Sequence, residues 1–390
     1  MTVYLDNAAS TCPKPPAVVE AVSKCLDSYC ANPGRGAHRS AVEAARIIYR
    51  TRQKAAAFLG VEDSANIIFS QNATDALNTA MYGCLEPGDH VVTSTVEHNA
   101  VARPLTSLSK RGVEVTWVET DATGLIDPGD IGAALKRNTR LAVLTHASNI
   151  TGAIQPVAEI GKILKEQGVT FLLDAAQSGG TVPLDLSALP VDMMALTGHK
   201  GLLGPQGIGF LYISPDVELK SVRQGGTGTR SEDEQDALPR PDRYECGTQN
   251  TPGIAGLGAG IDFIAAEGLE SIASRKAELT GRLHKGLCKI TGVDTYGPAL
   301  EADRAPLVAF NIAGMSSAET SAILDREYDI ASRSGLHCAP GAHKAMGTLK
   351  TGAVRLSIGP FNTTEQIEEA LAAVAKIAAG AHRSTAGGGT

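Results

Sequence analysis

Between about residues 65 and 215, short apolar runs recur, and most of them close on polar side chains. They are Ile67-Ile68-Phe69-Ser70, His90-Val91-Val92-Thr93-Ser94, Leu141 to Thr145, Val169 to Asp174, Val191 to Leu196 and Phe210 to Ile213. Runs of this length, with few polar interruptions, read as strands buried on both faces. Helical segments separate them, so the stretch predicts a mostly parallel sheet wrapped by helices. Upstream, a helix is expected from Ala17 to about Tyr29. A second should start at Ser40, with Glu43 completing a capping box, and run to Leu59. Asn72-Ala73-Thr74 opens a further helix. From about Ile261 the pattern changes to an amphipathic helix, Ser274 to Ile290, followed by short strands and helices. The tail after Ala379 is poor in apolar residues and is expected to be poorly ordered.

Composition narrows the class. At 390 residues the chain suggests about two domains, and 43% hydrophobic with 20% charged residues is ordinary for a globular protein. A net charge of −7 and a pI near 5.8 leave no electrostatic footprint for nucleic acid or an anionic membrane. The seven cysteines are odd in number and include no Cys-x-x-Cys pair, which argues against a disulfide framework and against a local metal site. Met1 to Asp6 carries neither a basic region nor an apolar core, so a cytoplasmic protein with reduced thiols is expected.

The chemistry sits where the strands end. Lys200 follows the run ending at Leu196 and precedes the glycine-rich turn Gly201 to Gly207. Burial there favours the neutral amine, the form that condenses with an aldehyde. Asp174 closes the preceding strand with Gln177 just beyond it, His98 follows the strand at His90–Ser94, and Asn149 follows that at Leu141–Thr145. Ligands in open α/β sheets bind at the carboxyl ends of strands, where these four side chains converge. The small and polar residues Ala73 and Thr74 at a helix N-terminus leave N–H groups free for a phosphate. Gly204-Pro205-Gln206-Gly207-Ile208-Gly209 precedes a strand and lacks the dinucleotide spacing, so that reading is discarded.

Asp174 and Lys200, each ending an apolar strand, resemble the fold-type I pyridoxal phosphate enzymes, and more narrowly the class V aminotransferase and cysteine desulfurase family. The resemblance runs from Tyr4-Leu5-Asp6-Asn7-Ala8-Ala9 to about Gly359. It implies a mostly parallel seven-stranded sheet in a large domain, residues 16–258. A smaller α+β domain would comprise residues 1–15 and 259–380, with a disordered tail at 381–390. It implies pyridoxal 5'-phosphate as cofactor, with Asp174 at the ring nitrogen, Gln177 at the phenolic oxygen and His98 stacked on the ring. Ala73, Thr74, Thr197, His199 and Asn149 join the cofactor site in this reading. Thr248, in Glu245-Cys246-Gly247-Thr248, would reach the phosphate of a second subunit in a homodimer. Arg355 would grip the substrate carboxylate, assisted by Asn149, Arg333 and His38, with Arg35 a further candidate in the same loop as His38.

The reaction is chosen by Arg333-Ser334-Gly335-Leu336-His337-Cys338-Ala339-Pro340, which is similar to the segment carrying the nucleophilic cysteine of group II cysteine desulfurases. His337 and Arg333 are expected to favour the Cys338 thiolate. The family's second histidine is replaced by Leu336. Catalytic roles fall to Lys200, Cys338 and His98, with no metal. The implied activity converts L-cysteine to L-alanine and leaves a persulfide on Cys338 for an acceptor protein. A selenocysteine lyase, another C–S lyase, an aminotransferase and a low-turnover sulfur-relay protein remain as alternatives.

Overall fold

The structure, a computed structural model, describes residues 2–29, 31–33, 36–227, 238–299 and 302–386. Strand β1 (Val3–Tyr4) leads into helices α1 (Pro16–Ser28) and α2 (Arg39–Phe58). There follow β2 (Ile67–Ser70), α3 (Ala73–Cys84), β3 (His90–Ser94), α4 (Asn99–Ser109), β4 (Glu114–Val118), α5 (Pro128–Ala134) and β5 (Thr139–Thr145). Then come α6 (Val157–Glu166), β6 (Thr170–Asp174), β7 (Met193–Thr197) and β8 (Gly209–Ile213). Two long helices, α7 (Thr251–Glu267) and α8 (Leu269–Leu287), precede β9 (Val293–Tyr296), β10 (Leu307–Ile312) and α9 (Ser317–Tyr328). The chain closes with β11 (Ile330–Ala331), β12 (Arg333–Gly335), α10 (Pro340–Ala345), β13 (Ala353–Ser357) and α11 (Thr364–Ala386).

The large sheet has seven strands in the order β2-β8-β7-β6-β5-β3-β4. Only β8 runs against its neighbours, β2 and β7. The apolar runs explain this architecture directly, because successive side chains point to opposite faces and both faces are covered. Phe171, Leu173, Met194 and Leu196 join one core with residues of α2, α6 and α7. Leu172, Met193 and Ala195 join another with α3 and α4. A four-stranded antiparallel sheet, β12-β13-β10-β9, forms a third core with β1, α8, α9 and α11.

Three expectations shift. Helix α2 begins at Arg39, because the His38 imidazole Nδ1 accepts the Ala41 N–H at 3.4 Å, and Glu43 pairs with Arg46 instead of completing a capping box at Ser40. Helix α7 crosses residues 258–259 without a break, and its Ile261 and Ile264 pack in the core of the large sheet. Helix α11 continues into the expected tail as far as Ala386; the remaining tail residues, 387–390, lie outside the described chain. Among the described residues no helix is long and apolar enough to cross a membrane.

Candidate active site

A cavity of about 250 Å³ opens at the carboxyl ends of the central strands. Its wall brings together Ala73, Thr74, His98, Asn149, Asp174, Gln177, Thr197, His199 and Lys200. Ala73 and Thr74 stand in the first turn of α3, where N–H groups have no intrahelical acceptor. Asn72 caps that helix by accepting the Asp75 N–H at 3.0 Å. Asn72 and Thr145 also line the cavity without having been singled out as ligands.

Burial sets the charges. It pulls the Lys200 ammonium down to about 8, with the Asp174 carboxylate opposing and Arg355 and Arg333 assisting. It pushes the Asp174 carboxyl up, against the Ala176 N–H that the carboxylate accepts at 2.9 Å. His98 is held down to about 4 by burial and by the nearby cations, Lys200 foremost. The ring is therefore a neutral imidazole at neutral pH. Its Nδ1 accepts the Ala100 N–H at 3.0 Å, which leaves the proton on Nε2.

Arg355 lies on β13 directly opposite Arg333 on β12. It is 1% exposed, donates from Nη2 to Asp6 Oδ1 at 2.8 Å and from Nη1 to the Asn149 carbonyl at 2.9 Å. Its buried Nε has no partner. Asp6 thus balances one of two facing guanidinium charges, and one positive charge is left over. Nothing in the local sequence around Asp6 signals this partnership, which spans almost the whole chain.

Cys338 is an exposed thiol on the loop between β12 and α10. Both His337 (φ 50°) and Cys338 (φ 58°) adopt the left-handed backbone, a conformation costly for residues with a Cβ. The loop is fixed through its carbonyls. The Asn149 side-chain amide donates to the His337 oxygen at 2.7 Å, and the Asn99 N–H donates to the Cys338 oxygen at 2.8 Å. Cys338 lines a recess of about 450 Å³ that shares Thr74, His98 and Ala100 with the cavity of Lys200. His337 does not assist the thiolate with positive charge. It is buried, its ring stacks on His343 with centroids 5.8 Å apart, and burial holds it down to about 3.

Two candidates lie elsewhere. His38 caps α2 and is absent from the cavity wall, so the helix start claims the imidazole expected at the substrate. Thr248 is exposed beside Asn32 and lines a separate cavity within this chain. Arg35 and residues 228–237 of the long polar loop lie outside the described residues.

The cavity suits pyridoxal phosphate on its own evidence. Thr197 Oγ1 and His199 Nδ1 are buried on its wall without hydrogen-bond partners, an arrangement that a bound polar ligand resolves. A carboxylate, an amine of depressed basicity and a helix N-terminus supply the three functions the cofactor demands. Fold and site together define a fold-type I pyridoxal phosphate-dependent enzyme.

Comparison with known proteins narrows the class. The model of the aminotransferase class-V family matches residues 3–370, and the chain belongs to that family. A relative from Methanothermobacter thermautotrophicus named a probable cysteine desulfurase is 40% identical over 373 residues, covering 94% of this chain and 92% of its own. Cysteine desulfurase IscS of Anaeromyxobacter sp. strain K is 32% identical, with 95% and 90% covered. Among solved structures, the apo cysteine desulfurase of Thermococcus onnurineus superposes with a TM-score of 0.88 at 33% identity, covering 97% of this chain and 95% of that one.

Proposed function

We propose that the protein is a cysteine desulfurase that moves the sulfur of L-cysteine onto Cys338 and releases L-alanine. The observation that carries this reading is the placement of an exposed thiol in a recess sharing three wall residues with the Lys200 cavity. Ala73, Thr74, Thr197 and His199 would hold the cofactor phosphate, and Asp174, Gln177 and His98 its ring. When bound, pyridoxal phosphate supplies an electron sink for the negative charge that develops on substrate carbon.

Arg355 and Asn149 orient the substrate carboxylate. Lys200, whose amine loses its proton near pH 8, takes the α-proton. Asp174 would hold a proton at the ring nitrogen, the bound cation opposing the burial that pushes its carboxyl up. His98 would cover the ring as a neutral donor. The Cys338 thiolate attacks the substrate sulfur: a sulfur–sulfur bond forms, the carbon–sulfur bond breaks with its electrons left on carbon, that carbon takes a proton, and Lys200 returns a proton to the α-carbon to give alanine. The persulfide is then open to an acceptor protein through the outer recess.

A homodimer completes the site in this reading. Thr248 is exposed and stands apart from the cavity of its own chain. Val19 and Leu26 on α1 and Tyr49 on α2, each 58% exposed, are apolar side chains that a second copy would cover. A cytoplasmic location accords with the exposed thiol at Cys338.

A single-turnover reaction with L-cysteine tests the reading, with alanine, pyruvate and the mass of the Cys338 peptide followed together. Alanine with one added sulfur on that peptide, both lost in Cys338→Ala, is the expected result. Pyruvate and free sulfide unaffected by the substitution would overturn it in favour of a C–S lyase. Turnover restricted to L-selenocysteine would make the protein a selenocysteine lyase.

A further inference from the structure

The backbone of Lys200 is gripped from outside its own turn. His199 O accepts from Lys14 Nζ at 2.7 Å, from Thr11 N at 3.0 Å and from Ser10 Oγ at 3.3 Å. Lys200 O accepts from Thr11 Oγ1 at 2.9 Å. A carbonyl has two lone pairs, so three donors on one oxygen are a concentrated restraint. Lys14 has no carboxylate partner among the described residues, and burial pulls its ammonium down to about 8. Its charge is directed at the carbonyl, in the stronger, charge-assisted kind of hydrogen bond.

The same short segment reaches the other poles of the site. Asp6 pairs with Arg355. Ala8 N donates to Ser357 Oγ at 2.9 Å, and Ala8 O accepts from the Gln177 side chain at 3.0 Å. Asn7 donates to the Ser357 carbonyl at 3.0 Å. The turn is held through its backbone, because Gly198 and Gly201 on either side of Lys200 carry no side chain, and a Cβ at Gly201 would overlap the Gly179 carbonyl oxygen.

We propose that residues 6–14 are a strap that positions Lys200, with Thr11 and Lys14 as its positioning residues and Asp6 anchoring it at the substrate-carboxylate arginine. The strap fixes the amine relative to Arg355, so that a substrate held by its carboxylate presents its α-carbon to the lysine. This inference rests on Lys200 and Arg355 serving the same substrate, as proposed above. Errors of about 1 Å in such placement are costly to rate.

Thr11→Val, Lys14→Met and Lys14→Arg in the holoenzyme test the strap. Hydrogen exchange is read across 197–204, with the visible absorption of the bound cofactor as a second readout. The two donor-removing variants should speed exchange there by roughly tenfold, the factor matching loss of one hydrogen bond. Exchange across the large sheet should stay unchanged, the absorption–pH curve should shift, and Lys14→Arg should restore both. Unchanged exchange at 197–204, or an equal rise throughout the chain, overturns the proposal. Should Thr11→Val fail to fold, the Lys14 pair decides alone. Neither readout requires turnover, so failure of the strap is distinguishable from failure of the desulfurase reading.

Discussion

Lys276 should destabilise the protein it belongs to. It lies on α8, is 4% exposed, and among the described residues donates only to Thr181 Oγ1, at 3.0 Å. Burial alone pulls its ammonium from 10.5 to about 7. Between those values the unfolded chain binds a proton that the folded chain does not, so stability rises with pH across that window. Below pH 7 the full penalty applies, about 5 kcal/mol at ~1.36 kcal/mol per pH unit. At pH 8 about 3 kcal/mol remains, and above 10.5 nothing does. Lys276→Met removes the charge and forfeits the bond to Thr181, worth about 1 kcal/mol. The variant should therefore gain about 4 kcal/mol at pH 6 and about 2 kcal/mol at pH 8, and should match or fall slightly below the parent above pH 10.5. Denaturant midpoints of both holoproteins at pH 6, 8 and 10 measure this. A variant less stable than the parent at pH 6, or a gap that does not narrow as pH rises, refutes the account and means that the ammonium is stabilised where it sits.

Two further substitutions probe the supports of the site. A Cβ at Gly341 would overlap the carbonyl oxygen of Thr95, so Gly341→Ala should push the Cys338 loop off the large sheet. It is expected to slow persulfide formation at least tenfold while cofactor absorption is unchanged, as stopped-flow and mass measurement would show. Glu245 accepts from Arg52 at 2.5 and 2.8 Å and from the Phe69 N–H at 2.5 Å, all buried. Glu245→Ala leaves that guanidinium unpaired, and thermal or denaturant unfolding should register a loss of about 3–5 kcal/mol.

Asp174, Lys200, His98 and Asn149 were legible because each ends or follows a continuous apolar run, and in a parallel sheet such ends share one edge. The place of the first turn of α3 on the cavity wall was legible for the same reason. What escaped was set by contacts remote in sequence. Lys276 follows Arg275 on an amphipathic helix and looks like one of a solvated pair, until α8 is placed against Thr181. Asp6 gains its role from an arginine on β13. His337 adjoins the cysteine in sequence, yet the left-handed backbone at 337 and 338 sends one side chain inward and the other to solvent. The His38 imidazole was claimed as the N-cap of α2, two residues before the Ser40 expected in that role.

The docking of the Cys338 loop has a consequence for how the chemistry could be exchanged. Asn99 and Asn149 hold peptide oxygens, which every amino acid possesses, and they make no demand on the side chain at 338. The location of the loop and the identity of its reactive group are thus separately encoded. Residue 338 is an interchangeable tool on a fixed mount. Asparagine or aspartate, which tolerate the left-handed backbone, would be presented to the same recess. A lineage or a designer can therefore replace the nucleophile in one codon without rebuilding the machine around it.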